Sequence, residues 1–250
     1  MMDFTLITLV VLVVFLGSLT RSTFGFGDSV VSMPLLALLP LPINTAISLI
    51  GLTGFSVGLM AIFSAWKYID KRILLLLLSS TMIGIPIGLY LVIEVPQENV
   101  TQILGVFLII YGIYSLIKQR YHLELPERWK GSQLLPLPFG LLSGALGSAY
   151  NMNGIPIVVY GTFRDLEMKT FHSTLQSHFI VSSLFIVLGQ ALGGLWTRDL
   201  FVFYLASLPV IYLAHRIGKS IRLRIPIHRF EKLLYLFILL LGIILLLSVA

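Results

Sequence analysis

Apolar and polar residues are segregated here on the scale of whole helices. Runs such as Phe4–Leu16, Ile73–Leu78 and Leu233–Val249 are broken only by short polar stretches. Apolar segments fall at about 3–20, 28–40, 43–66, 72–93, 100–118, 134–148, 151–163, 170–196, 199–215 and 230–249. A spanning helix needs roughly 20 apolar residues. The segments at 28–40 and 151–163 are too short for this, since thirteen residues rise only about 20 Å against a hydrocarbon core of about 30 Å. The pattern predicts an all-α polytopic membrane protein with eight long and two short or half transmembrane helices.

Both short segments follow a glycine-bearing irregularity. The first reads SLTRSTFGFGDSVVSMPLLALL from Ser18 to Leu39, and the second LLSGALGSAYNMNGIPIVVYG from Leu141 to Gly161. A bilayer forbids unpaired backbone polar groups facing lipid, so a break at membrane depth must line a cavity or be covered by protein. Paired breaks in corresponding positions of two halves point to a transporter's binding site.

The halves also match in register. Gly25 and Pro34 pair with Gly147 and Pro156 at an offset of 122, and Gly88, Pro96 and Gly112 with Gly218, Pro226 and Gly242 at 130. Ser48 corresponds approximately to Ser173. Five elements per half is an odd number, so the second copy is expected to be inverted. This gives a first repeat over 1–120, a cytoplasmic linker over 121–132 and a second, inverted repeat over 133–250.

Charge bears on this independently. Lys67, Lys71 and Arg72 mark one cytoplasmic loop, and Lys118, Arg120, Arg128 and Lys130 another. The loop with Glu94 and Glu98 has no basic residue, whereas its partner at 216–229 carries Arg216, Lys219, Arg222, Arg224 and Arg229. Equivalent loops of opposite bias belong on opposite sides under the positive-inside rule. Both termini are then extracytoplasmic. The start, Met-Met-Asp, has neither a positive n-region nor a small-residue cleavage site, and reads as a retained helix.

Composition agrees. The chain is 57% hydrophobic and 11% charged, about half the charge of a soluble domain, and its mean hydropathy is +0.97. The formal charge of +6 suggests an anionic partner, but 12 of the 17 Lys and Arg lie in the three basic loops, where orientation explains them without nucleic acid. With no cysteine, disulfides, thiolate metal sites and a cysteine nucleophile are excluded.

The breaks hold the candidate chemistry. Arg21, Ser22, Thr23, Gly25, Gly27, Asp28 and Ser29 surround the first. Glycines let backbone approach a ligand, and Asp28 or Ser29 is placed to cap the half-helix whose N-terminus attracts anions. Pro34 is expected to kink that helix. Asn151, Asn153 and Gly154 mark the second break with neutral donors. Arg21 and Asp28 are ionisable groups at membrane depth; they either pair to hold the break together, or act as an anion clamp and a coupling carboxylate. On segment 170–196, His172, Ser173, Thr174, Gln176, Ser177 and His178 cluster. The two histidines point about 120° apart around a helix, which argues against a shared metal. Gln176 and His178 join the candidate substrate contacts with Ser48 opposite, and Thr53 close to the position of His178. GxxxG spacings at Gly54–Gly58, Gly84–Gly88, Gly140–Gly144 and Gly189–Gly193 predict close helix packing. No catalytic motif, cofactor or metal site is expected.

Gly25-Phe26-Gly27-Asp28 through Met33-Pro34, then Ala46-Ile47-Ser48, and more loosely Asn153-Gly154-Ile155-Pro156 with Ser173-Thr174, resemble the sulfite exporter TauE/SafE family over essentially the whole length. The resemblance implies a bacterial plasma-membrane permease for small sulfur-containing or organic anions such as sulfite, sulfonates or sulfoacetate. Expected partners are that anion, a coupling H+ or Na+, and the lipid bilayer. A passive anion channel using the same residues and, further off, a polytopic membrane enzyme are the competing readings.

Overall fold

The computed structural model describes residues 4–61, 68–121, 132–164, 167–224 and 228–249. Ten helices occupy them: α1 (Phe4–Phe24), α2 (Asp28–Ala37), α3 (Ile43–Ala61), α4 (Lys71–Glu94), α5 (Gln97–Tyr121), α6 (Pro136–Tyr150), α7 (Gly154–Arg164), α8 (Met168–Leu192), α9 (Arg198–Arg224) and α10 (His228–Val249). No strand occurs among the described residues. Six of the helices, α1, α3, α4, α5, α8 and α9, are long and apolar enough to cross a membrane. The protein is an all-α, multi-span membrane protein.

Two expected elements differ in length. The apolar run at 199–215 continues as helix to Arg224. Arg216, Lys219, Arg222 and Arg224 therefore sit on a helix end rather than in a loop, because Arg and Lys are good helix formers wherever water can reach them. The segment at 134–148, expected among the long ones, is a helix of 15 residues. It rises about 22 Å, short of a full crossing. Asn151 stops it by entering the left-handed region at φ 57, ψ 23.

The helices form two compact units, neither continuous in sequence. The first comprises Met1–Thr53, Glu94–Leu123 and Trp196–Ala250, and the second Gly54–Ile93 and Glu124–Leu195. The boundary falls within α3.

In the first unit, α1 and α2 form a hairpin. Ser32 Oγ donates to the Val13 carbonyl at 3.4 Å, and a side chain on Gly17 would strike Ser32 and the Asp28 carbonyl, so the two helices run antiparallel. Helix α9 packs on α1 where Gly218 meets Leu19 and Ser22. Thr45 and Thr197 share a hydrogen bond at 3.3 Å that ties the start of α3 to the turn before α9. Helices α5 and α10 also run antiparallel: Gly105 lies against Leu246, and Gly112 against Leu239. Their contact is reciprocal, for Gly242 in turn lies against Ile109. Gly112 and Gly242, like Ile109 and Leu239, are separated by the offset of 130.

In the second unit, α4, α6 and α8 run parallel. Along α4 and α6, Gly140 meets Leu77, Gly84 meets Leu141, and Gly88 meets Ala145 and Ser148. Along α4 and α8, the Asp70 N–H donates to Thr174 Oγ1 at 3.1 Å, while Gly189 reaches Leu89 and Gly193 reaches Ile93. Helix α7 doubles back on α6. Arg164 at its end donates from Nη1 to the Ser132 carbonyl, 3.1 Å away and just before α6 begins. Helices α6 and α7 are therefore the two arms of a hairpin whose tip is the second break.

Candidate functional site

The first break lies at the tip of α1–α2. Helix α1 ends where the Gly25 N–H reaches the Arg21 carbonyl at 2.7 Å. Gly25 at φ 88 and Gly27 at φ 91 then turn the chain through a region that side-chain-bearing residues rarely adopt. The expected side-chain cap is not made: Gly27 holds the N-cap position of α2 without a side-chain hydrogen bond. Asp28 stands in the first turn instead, and its Oδ2 accepts from Arg21 Nη1 at 2.8 Å. Arg21 is buried and Asp28 largely so, at 8% and 13% side-chain exposure. Of the two roles open to this pair in the sequence, holding the break together is the one this geometry displays. Pro34 sits inside α2.

Around the pair, Thr23 Oγ1 donates to the Leu19 carbonyl at 2.8 Å, and Ser29 and Ser48 are buried. Thr53 donates to the Ile50 carbonyl at 3.2 Å. Ser22 Oγ is buried and has no hydrogen-bond partner among the described residues, although its Cβ faces Gly218 of α9. Two groups on α9 escaped the sequence reading. Ser207 Oγ and His215 Nδ1 are also buried and without partners among the described residues. Their signal was a polar residue inside an apolar helix, and in His215 it was masked by the basic run beside it.

The second break is closed by neutral groups. The Asn151 N–H donates to the Gly147 carbonyl at 2.7 Å and that of Met152 to Leu146 at 3.1 Å, which satisfies the last carbonyls of α6. Ser143 Oγ donates to the Asn153 carbonyl at 2.7 Å, and Asn153 Nδ2 donates to Ser182 Oγ of α8 at 2.9 Å. Gln190 Nε2 reaches the Ser148 carbonyl at 3.3 Å and Asn151 Oδ1 at 3.4 Å. Asn153 thus engages Ser182, and Gly154 opens α7. Ser182 and Gln190 belong to this cluster and were missed, lying on α8 past the polar patch that drew attention.

Deeper in the same unit, His178 is completely buried. Its Nε2 lies 3.0 Å from Thr81 Oγ1 of α4, and that hydroxyl donates to the Gly140 carbonyl of α6 at 3.0 Å. Gln176 is buried on the same helix. No group of three or more metal-ligating side chains occurs among the described residues. Lys67, Arg128 and Lys130 lie outside the described residues.

Breaks lined by buried polar groups, within an all-helical multi-span chain, are features expected of the membrane-transporter class. The chain belongs to the sulfite exporter TauE/SafE family, whose model matches residues 10–245. That family comprises sulfite exporter-type membrane transporters. No curated protein and no solved structure matches the chain significantly.

Proposed function

We propose that this chain is a secondary transporter moving small sulfur-containing or organic anions, of the sulfite, sulfonate and sulfoacetate type, across the bacterial plasma membrane by alternating access. The observation that carries the reading is a guanidinium buried at a helix break in a member of this family. Buried charge is costly unless paired, and is kept in membranes chiefly where it works. Arg21 is the anion clamp. Asp28 occupies it in the absence of cargo, and the carboxylate released when an anion takes its place is the candidate coupling group for H+ or Na+. Ser22, Thr23, Ser29 and Ser48, the backbone at Gly25, Gly27 and Gly154, and Asn151, Asn153, Gln176 and His178 complete the proposed substrate contacts.

The two halves, 1–120 and 133–250, are read as inverted copies with both termini extracytoplasmic. The reciprocal, antiparallel contact of α5 with α10 supports this. Inverted copies would place a two-fold axis between them that maps Gly112 on Gly242 and Ile109 on Leu239, the residues in contact there. No catalysis is assigned.

The test is flux of labelled sulfite, sulfonates and sulfoacetate into liposomes containing the purified chain. Saturable uptake by the wild type, lost in Arg21→Ala, is expected. The Arg21→Ala/Asp28→Ala double variant serves as a folded control lacking the clamp, and unchanged transport in either would sink the role of Arg21. Ohmic, non-saturating current would make the protein a channel.

A further inference from the structure

The polar groups of the second unit form one strip. His178 and Ser182 lie four residues apart on α8 and so share a face. Opposite them are Gly140 and Ser143 of α6, Asn153 at the break, and Thr81 of α4, joined by the hydrogen bonds described above. The direction of each bond follows from counting protons. A hydroxyl has one hydrogen. The Gly140 carbonyl can only accept, and the Thr81 hydroxyl lies within donating distance of it. With the hydrogen on that bond, Thr81 Oγ1 accepts from His178 and the ring is the Nε2–H tautomer. Its other nitrogen, Nδ1, is left as a bare acceptor. It is fully buried and has no hydrogen-bond partner among the described residues.

A buried acceptor without a donor is unfavourable by about 1–3 kcal/mol and calls for a reason. Packing does not supply one here, since Thr81 already anchors the ring through Nε2. What Nδ1 lacks is a proton donor.

We propose that His178 is a proton-carrying group of this transporter, and that a proton at Nδ1 and a monovalent oxyanion are taken up together. The inference rests on the transporter reading above and specifies its coupling ion. A hydronium ion gives its proton to the Nδ1 lone pair and leaves as water. Nε2–H stays on Thr81, the Thr81 hydrogen stays on Gly140, and the ring changes from neutral to singly positive. Around it stand the Thr81 hydroxyl from α4, the Gly140 carbonyl from α6 and the Phe179 ring beside it on α8.

The ionisable side chains of these packed elements are Asp70, whose N–H bonds Thr174 one turn before the ring, Lys71, Arg72 and Glu94 on α4, Tyr150 on α6, Tyr160 and Arg164 on α7, and Lys169 and His172 on α8. None of them is a hydrogen-bond partner of Nδ1. A lone imidazolium in such surroundings is costly, so its counter-charge is the cargo. Each ligand then favours the other by the same factor.

Two measurements decide it. In liposomes, a pH gradient is expected to drive accumulation of labelled sulfite by the wild type. His178→Gln, which keeps an N–H donor for Thr81, is expected to lower that accumulation about tenfold. Gradient-driven accumulation that survives in His178→Gln overturns the proposal. So does wild-type exchange that ignores a pH gradient; the transporter reading then stands and this inference falls. The second readout needs no transport. In 15N-histidine-labelled protein, with the signal assigned by its loss in His178→Gln, the ring is expected as the Nε2–H tautomer without anion and as imidazolium with saturating sulfite. An Nδ1–H tautomer, or a ring still neutral in saturating sulfite, overturns it.

Discussion

The first hairpin closes its break with charge, and the second closes its own with neutral hydrogen bonds and helix contact. At α1–α2, one ion pair between Arg21 and Asp28 links the arms across two left-handed glycines. At α6–α7, Ser143, Asn153, Ser182 and Gln190 distribute the same task over several bonds, while glycines on α4 and α6 bring those helices together backbone to backbone. The physics differs accordingly. A buried ion pair is all-or-none, because losing one partner strands the other in a low-dielectric medium. A neutral network loses one bond at a time. The second unit therefore reads as the rigid one, and the first holds the element able to change state.

The sharpest way to break the comparison is to strand a charge. Asp28→Ala should destabilise the protein by about 3–5 kcal/mol, with Arg21→Ala comparable, because each removes one partner of an ion pair shielded from water. The double variant should recover most of the loss. Thermal unfolding in detergent measures all three. If the two single losses simply add in the double variant, the pair is not the closure described here.

Next come the helix contacts. A methyl at Gly84 would collide with the Leu141 carbonyl of α6, and both helices would have to part, so Gly84→Ala should cost about 1–3 kcal/mol. At Gly218 of the first unit the obstacle is the Ser22 side-chain root, with the nearest carbonyl, that of Leu19, at 3.1 Å. Gly218→Ala should cost clearly less by the same unfolding measurement. Equal losses would show that the two units are packed alike.

This contrast also marks how far the sequence could be read. Helix positions followed from hydropathy because lipid imposes it, and nine of ten elements stand within a few residues of their apolar runs. The extension of α9 to Arg224 was hidden, since hydropathy registers the edge of the bilayer and not the end of a helix. The breaks were legible because glycine and proline deep in apolar sequence have few other uses. What each side chain does there was not. Asp28 could cap or pair with equal local sense, and only the turn through Gly25 and Gly27 brings its carboxylate to Arg21. Thr81, Ser182 and Gln190 each lie in a different stretch from the break they serve, so tertiary contact alone reveals them.

A smaller effect tests the neutral network. Asn153→Ala removes the donor to Ser182 and leaves the Ser143–Asn153 backbone bond intact. A loss of about 1 kcal/mol is expected. A loss as large as that of Asp28→Ala would mean that the second break also depends on a single contact.

The smallest expected effect separates stability from function most cleanly. Ser148 Oγ donates to the Ile85 carbonyl at 2.8 Å and lies equally close to Gly144 within its own helix, whereas Ser22 Oγ has no partner among the described residues. Truncating a bonded hydroxyl and an unbonded one to alanine should therefore diverge. Ser148→Ala should lose about 1 kcal/mol. Ser22→Ala should lose nothing, or gain slightly, because it deletes a buried polar atom that nothing in its surroundings satisfies. If Ser22 instead serves the anion held by Arg21, its removal should raise the KM for sulfite with the unfolding midpoint unchanged. A folded Ser22→Ala protein with wild-type KM would remove Ser22 from the site and leave the first break resting on Arg21 and the backbone of its glycines.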